Sequence, residues 1–281
     1  MMRKLWRWVV PVLLGTCTLA SAGPTEDEEG ELKTIVLAPG GKLDAPDTQQ
    51  TVLQYRKEKK VPDDVSLRVV LTHHHDGSVR FRWFLRSLVP LDAQGQPDGE
   101  EVEYVWLAGP VHSTTYRHGV RHGLERMWSG SRSGPSYLTS ETPWENGKIH
   151  GVKKVYLPGG KVMSQTTYEH GQMTGESRTY DEEGRLLRIT FYNSGKKHGE
   201  LHDFWPESGK LQRSIPYNNG KVDGTSHEYY SNGQLKREAS VKNNAMHGLE
   251  RQFEPDGKLL STHYWLQGEE VTESEFRKGR D

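Results

Sequence analysis

Apolar residues in this chain fall in short alternating runs, and each run is closed by a polar, glycine-bearing turn. The stretch from Gly175 to Gly199 shows the pattern. Gly175-Glu-Ser-Arg-Thr-Tyr180 reads as a strand that ends on an aromatic residue, and Asp181-Glu-Glu-Gly184 reads as a turn. Arg185-Leu186-Leu-Arg-Ile189-Thr-Phe191-Tyr192 reads as a second strand, after which Asn193-Ser-Gly195 turns the chain again. Alternation with a period of two, punctuated by glycine, is a strand-and-hairpin signature.

The same phrase recurs. Its lead residues are Trp144, Tyr168, Tyr192, Tyr217, Val241 and Trp265, at spacings of 24, 24, 25, 24 and 24. A fixed period in this range marks a repeat architecture in which each copy leans on its neighbours. Each lead is followed by a turn glycine (Gly147, Gly171, Gly195, Gly220) and then a second glycine (Gly151, Gly175, Gly199, Gly224, Gly248), with Asn244 replacing the turn glycine of the fifth copy. These corners are expected to need positive φ, which glycine adopts freely and asparagine tolerates. A second aromatic stands five residues after the second glycine, at Trp128, Tyr156, Tyr180, Phe204, Tyr229 and Phe253. With the leads these form two columns expected to stack into ribs that hold the array together. The spacing predicts an all-β fold, an elongated single-layer antiparallel β-meander of repeat hairpins. At two strands per copy each repeat adds ~10 Å.

Outside the repeats the pattern changes. Residues 61–115 carry β-rich runs, with His75-Asp76-Gly77 as a hairpin signal between two of them, and read as a small β-unit capping the array. Residues 23–60, with the acidic run Thr25–Glu31 and breaks at Pro39-Gly-Gly-Lys42 and Ala45-Pro46-Asp47, read as a flexible linker too poor in apolar surface to order itself, with Lys33–Ala38, around Ile35-Val36-Leu37, offering a brief strand. Thr272-Glu-Ser-Glu275 resembles a capping box, so residues 271–281 are expected to hold a short capping helix and tail after repeats spanning 116–270. Residues 1–22 have the charged start, apolar stretch and Ala20-Ser21-Ala22 site of a cleavable export signal. That predicts a bacterial product released to the periplasm or beyond after cleavage near Ala22. Leu14-Gly-Thr-Cys17 offers the minority alternative of a lipoprotein anchored through Cys17.

The phrase Tyr-x-Asn-Gly-Lys-x-x-Gly, with an aromatic and Gly-x-Leu after it, resembles the MORN repeat. It is most similar to the variant in bacterial proteins of the YwqK-type antitoxin family. The resemblance covers about residues 116–270, and Tyr116–Trp128 is a looser early copy followed by an insertion at 129–135. It implies a non-catalytic surface that binds a protein (an envelope protein or a toxin) or a membrane lipid. The family label implies in particular an antitoxin or immunity protein that neutralises a toxin by binding it.

Composition narrows the chemistry. The mean hydropathy of −0.82 suits a thin array better than a globule. Formal charge is −1, and Arg3, Lys4 and Arg7 in the leader account for three of 37 basic residues against 38 acidic ones, so no basic footprint for nucleic acid is present. Cys17 is the sole cysteine, which excludes an intrachain disulfide or cysteine-based zinc site. His73-His74-His75 cannot converge on one ion from a strand, because successive side chains point to opposite faces. The candidate binding-face column is His122, His150, His198 and His247, each immediately before a second glycine. Copies ~10 Å apart cannot share a metal, so turn stabilisation is the plainer reading and a pH-sensitive or anion-binding row the sharper one. Lys148, Lys196 and Lys221 form a second column, read as a solvated edge. Gly130-Ser-Arg-Ser-Gly134 has Arg132 where a nucleophile elbow needs serine, and Pro158-Gly-Gly-Lys161 lacks the spacing of a phosphate loop. No enzyme, cofactor or metal is expected.

Overall fold

The computed structural model describes residues 32–43, 46–75, 81–105, 109–129 and 136–279. The expected leader with Cys17, the acidic run before residue 32, the Asp76-Gly77 hairpin tip and the Gly130–Gly134 stretch lie outside the described residues. The chain divides into two compact units, one running to Arg121 with residues 130–136, the other formed by the rest.

The first unit is an antiparallel meander of β1 (Leu32–Leu37), β2 (Leu67–His75), β3 (Phe81–Pro90), β4 (Gly99–Val105) and β5 (Gly109–Arg117). Each strand pairs with the next in sequence once helix α1 (Pro46–Lys59) has been passed. Ile35 lies opposite Val69, Val69 opposite Leu88, and Leu88 opposite Val102, which gives the sheet one apolar face. Helix α1 covers that face with Val52 and Tyr55, 1% and 2% exposed. Burying side chains of this size contributes ~1.5–3 kcal/mol each. The Tyr55 hydroxyl donates to the Glu100 carbonyl, and Arg56 donates to the carbonyls of Pro62 (2.6 Å) and Val65 (2.9 Å), fastening the turn that leads into β2.

The brief strand offered at Lys33–Ala38 forms as β1, but the reading of 23–60 as a linker is corrected: from 46 to 59 the chain is a helix, and strand and helix both belong to the first unit. The buried positions Thr48, Val52, Tyr55 and Arg56 lie at helical spacing on one face. Only two of the four are apolar, so the hydrophobic pattern gives no stripe. Pro46, a break in the sequence reading, begins the helix, where a fixed φ and a missing N–H are tolerated.

The first unit also contains a repeat copy that the sequence conceals. Gly99 stands five residues before Tyr104, as Gly199 stands before Phe204. Asp98 N–H donates to Pro90 O at 2.9 Å just as His198 N–H donates to Phe191 O at 2.9 Å. Gly119 N–H reaches Pro97 O at 2.7 Å as Gly220 N–H reaches Lys197 O at 2.8 Å. Leucine replaces the lead aromatic at Leu91. The turn is lengthened to Asp92–Gln96, where Asp92 Oδ1 accepts from the N–H groups of Gln94 and Gln96 at 3.0 and 2.8 Å.

The second unit is the predicted β-meander of hairpins. In the central copy, strand Gln172–Tyr180 pairs with Leu186–Asn193, which pairs in turn with Gly199–Phe204, and later copies repeat this. The far turns are tight loops: Asp181 Oδ1 accepts from Glu183 N–H and Arg185 N–H at 3.0 and 2.8 Å. At the C-terminus, helix α2 (Glu273–Lys278) begins at the expected capping box, with Thr272 and Glu275 bonding each other's backbone N–H. It seats buried Phe276 against the Tyr264 ring at 5.3 Å.

Candidate binding surface

Each copy builds one near-edge corner from two successive residues of positive φ. Ser194 (+48°) and Gly195 (+80°) connect Asn193 to Lys196 in a two-residue hairpin of the mirror-image type. Asn146, His170, Asn219 and Asn243 occupy the Ser194 position at +49° to +52°. The corner glycines of the repeats, Gly147, Gly171, Gly195 and Gly220, and the second glycines Gly151, Gly175, Gly199, Gly224 and Gly248, all have positive φ. The second glycine is not a corner but a bulge in the returning strand: Tyr192 faces Lys197 before it, whereas Ile189 faces His202 after it, a register shift of two. At Gly224 a side chain is excluded twice over, because φ is +130° and a Cβ would lie 2.9 Å from Pro216 Cγ.

The corners are zipped together along the edge. The N–H at the second corner position donates to the residue two before the previous copy's second glycine: Gly171 to Ile149 (2.8 Å), Gly195 to Met173 (2.9 Å), Asn244 to Val222 (2.9 Å), Gly268 to Met246 (2.8 Å). The histidine column sits in this seam. His247 Nδ1 accepts from Gln267 N–H at 3.4 Å, and Asp98, at the same position in the concealed copy, accepts from His118 N–H at 3.3 Å. The His150 ring lies 5.2 Å from that of His170, the corner residue of the following copy. His122 is half-buried and His198 is exposed. Among the described residues, no group of three His, Cys, Asp or Glu side chains could hold a metal ion. Lys148, Lys196 and Lys221 are exposed, while neighbouring Lys197 holds its Nζ 4.9 Å from the centre of the Tyr217 ring.

Side chains on the two faces follow from strand alternation. Leads point to one face and the second aromatics to the other, so the two aromatic columns are separated by the sheet. Trp144, Tyr156, Tyr168, Tyr180, Tyr192, Phe204, Tyr217, Tyr229, Phe253 and Trp265 are all half-buried, and polar partners are interleaved with them. Trp144 Nε1 and Trp265 Nε1 donate to Glu125 and Glu250, each at 2.9 Å. The Tyr156 hydroxyl donates to Glu141 at 2.7 Å, and His227 stacks on Tyr229 with ring centres 6.3 Å apart.

A ladder of charge runs along the face that carries the leads, and the repeat pattern gave no notice of it. Asp203 is bridged by Arg188 (2.5 Å) from one neighbouring strand and Arg213 (2.6 Å) from the other. Arg237 joins Glu250 (2.8 Å) to Glu228 (3.2 Å). Burial alone would raise the Asp203 carboxyl, but the two guanidinium groups hold it below the usual range. Arg237 does the same for Glu250, again against desolvation. On the other face Tyr156, and then Arg126, lower Glu141, while burial and that carboxylate push the Tyr156 hydroxyl up to about 12. Thr142, Thr190, Ser214, Asp203 and Glu250 are buried. These polar side chains are therefore among the best covered in the array, whereas the lysine column lies exposed, as expected of a solvated edge.

This arrangement defines a class: a scaffold of zipped β-hairpins presenting a repeating surface. Residues 149–170, 222–243 and 246–267 each match the MORN repeat variant. Each matched window opens at the carbonyl that receives the next corner's N–H and closes at the first residue of that corner. No curated protein matches the chain.

Proposed function

We propose that this chain is an exported, non-catalytic MORN-type repeat scaffold of the bacterial cell envelope that acts by binding a protein, with membrane lipid as the lesser alternative. The observation that carries this reading is how the polar side chains of the array are used. Asp203, Glu250, Glu141 and Glu200 are each engaged by a neighbour within the sheet, so the charged groups of the repeats hold the surface together rather than converge on a reacting atom. Such a surface works through the area many copies present jointly. Residues 1–22, with the pattern of a cleavable export signal, support a location outside the cytoplasm. The test is an assay of the purified mature chain for binding to envelope proteins and to vesicles of anionic lipid, with hydrolase activity measured in parallel. Specific retention of an envelope protein without turnover is expected; turnover abolished by one side-chain substitution would overturn the proposal.

A second reading, an immunity protein guarding the periplasm against a toxin, is favoured by the likeness of the Tyr192–Gly199 phrase to the YwqK-type variant. Rescue of growth when the chain is co-expressed with a toxin encoded beside it would decide for that role. An isolated gene without such a neighbour would decide against it.

A further inference from the structure

We propose that the outer edge of residues 259–263 is a docking site for an extended strand of a partner protein, which would complete the sheet where the repeats stop. Inside the array every such segment is bordered on its outer side. Leu186–Thr190 is flanked by Gly199–Phe204, with Arg188 opposite Asp203 and Ile189 opposite His202. Leu211–Ser214 is flanked by Gly224–Tyr229, with Arg213 opposite Glu228 and Ser214 opposite His227. In the last copy the bordering strand is cut to Glu269–Val271, which pairs only with Tyr264, Trp265 and Leu266, and the chain then enters α2 at Thr272. Among the described residues no strand pairs with the outer side of Leu259–His263, and the bordering strand reaches it only through Glu270, whose Oε1 lies 2.6 Å from His263 Nδ1.

The leucines register the missing neighbour. Leu186, Leu211 and Leu235 are half-buried, whereas Leu259 at the same repeat position is 51% exposed and adjacent Leu260 is 61% exposed. The segment Leu259-Leu-Ser-Thr-His263 contains no Lys, Glu or Pro, the residues that usually blunt an open edge. An unprotected, β-prone edge with an apolar end is the geometry of strand addition: backbone hydrogen bonds supply affinity and alternate side chains supply selectivity.

The array itself states what fits. The slot is filled elsewhere by Gly151–Tyr156, Gly175–Tyr180, Gly199-Glu-Leu-His-Asp-Phe204, Gly224-Thr-Ser-His-Glu-Tyr229 and Gly248–Phe253. All five end on an aromatic residue and place polar or charged residues opposite the middle of the edge, a His-acid pair in two of them. The partner segment is therefore extended, antiparallel to Leu259–His263, polar at its centre and aromatic at the end that covers Leu259. A second copy of the chain fits less well, because its strands of this pattern are already paired on both sides. This inference rests on reading the chain as a protein-binding scaffold and names the chemistry of the partner.

The test titrates the full chain into a labelled peptide of residues 224–230, Gly-Thr-Ser-His-Glu-Tyr-Tyr, followed by fluorescence anisotropy. Saturable binding is expected, on the order of 10–100 µM for so short a strand. Leu259→Asp or Leu260→Asp should weaken it at least ~10-fold, as should proline in place of the peptide histidine. Both leucines are exposed, so unchanged melting of the variants verifies their fold. No saturation at millimolar peptide, or equal binding by the variants, overturns the proposal. So does self-association of the chain that Leu260→Asp abolishes, since a second copy would then occupy the edge. If an envelope protein is retained equally by wild type and Leu260→Asp, the edge is refuted while the scaffold reading stands.

Discussion

At the scale of single residues, two glycines separate conformational strain from steric exclusion. Gly175 has φ +62° and open space for 4 Å around the place a Cβ would take, whereas Gly224 combines φ +130° with Pro216 Cγ 2.9 Å from that place. Gly175→Ala should cost about 1 kcal/mol. Gly224→Ala should cost about 3 kcal/mol, because the proline ring must also move. Thermal melting of the two variants compares them, and equal shifts would mean that the contact with Pro216 is not limiting. The sequence shows that both positions are glycine in a repeated phrase but cannot rank them, since the residue opposite is set by strand register. Asp203 makes a second residue-scale case. Its carboxyl is lower in the folded chain than in the unfolded one, so its stabilisation is present above the unfolded value near 4. It is lost as pH falls through the lower folded value. Asp203→Asn should cost about 2 kcal/mol at pH 7 and flatten the acid limb of a stability–pH curve, read by denaturant melts from pH 7 to 2.

At the scale of elements, the hairpins were legible and helix α1 was not. Leu186–Tyr192 announces a strand through alternation and bounding glycines, and Thr272–Glu275 announces a helix start through its capping box. Helix α1 hides because half of its buried face is Thr48 and Arg56, whose burial depends on the sheet beneath and on the Pro62 and Val65 carbonyls. Truncating that face should be costly: Tyr55→Ala removes a 2%-exposed ring and its bond to Glu100 and should cost about 3–5 kcal/mol. Urea melts that follow the first unit would measure it. Thr272→Ala should cost about 1 kcal/mol through loss of the cap. It should also loosen Phe276 from Tyr264, a change visible in hydrogen exchange of residues 273–279.

At the scale of the molecule, period and surface carry different kinds of information. The period is written in glycines, which the positive φ of the corners and bulges demands, and in aromatics that recur at equivalent strand positions. The ladder Arg188–Asp203–Arg213 is written across three successive strands, so its members meet only through strand register, and Asp203 looks like any exposed strand acid until that register is known. The concealed copy at Leu91–Tyr104 shows the same limit from the other side, since its hydrogen bonds persist after its phrase has eroded. If each copy leans only on its neighbours, deleting Glu176–Gly199, one full copy that rejoins Gly175 to Glu200, should leave a folded β-protein whose melting temperature moves by only several degrees.

Binding through the repeat surface is the claim on which the account turns. The measurement that addresses it most directly is affinity capture from an envelope extract with wild type and Leu260→Asp run side by side, in the presence and absence of the residue 224–230 peptide. One envelope protein should be retained in stoichiometric amount by wild type, released by the peptide and lost from the variant. Retention of neither protein nor lipid by the wild-type chain, together with turnover that depends on a single side chain, would contradict it.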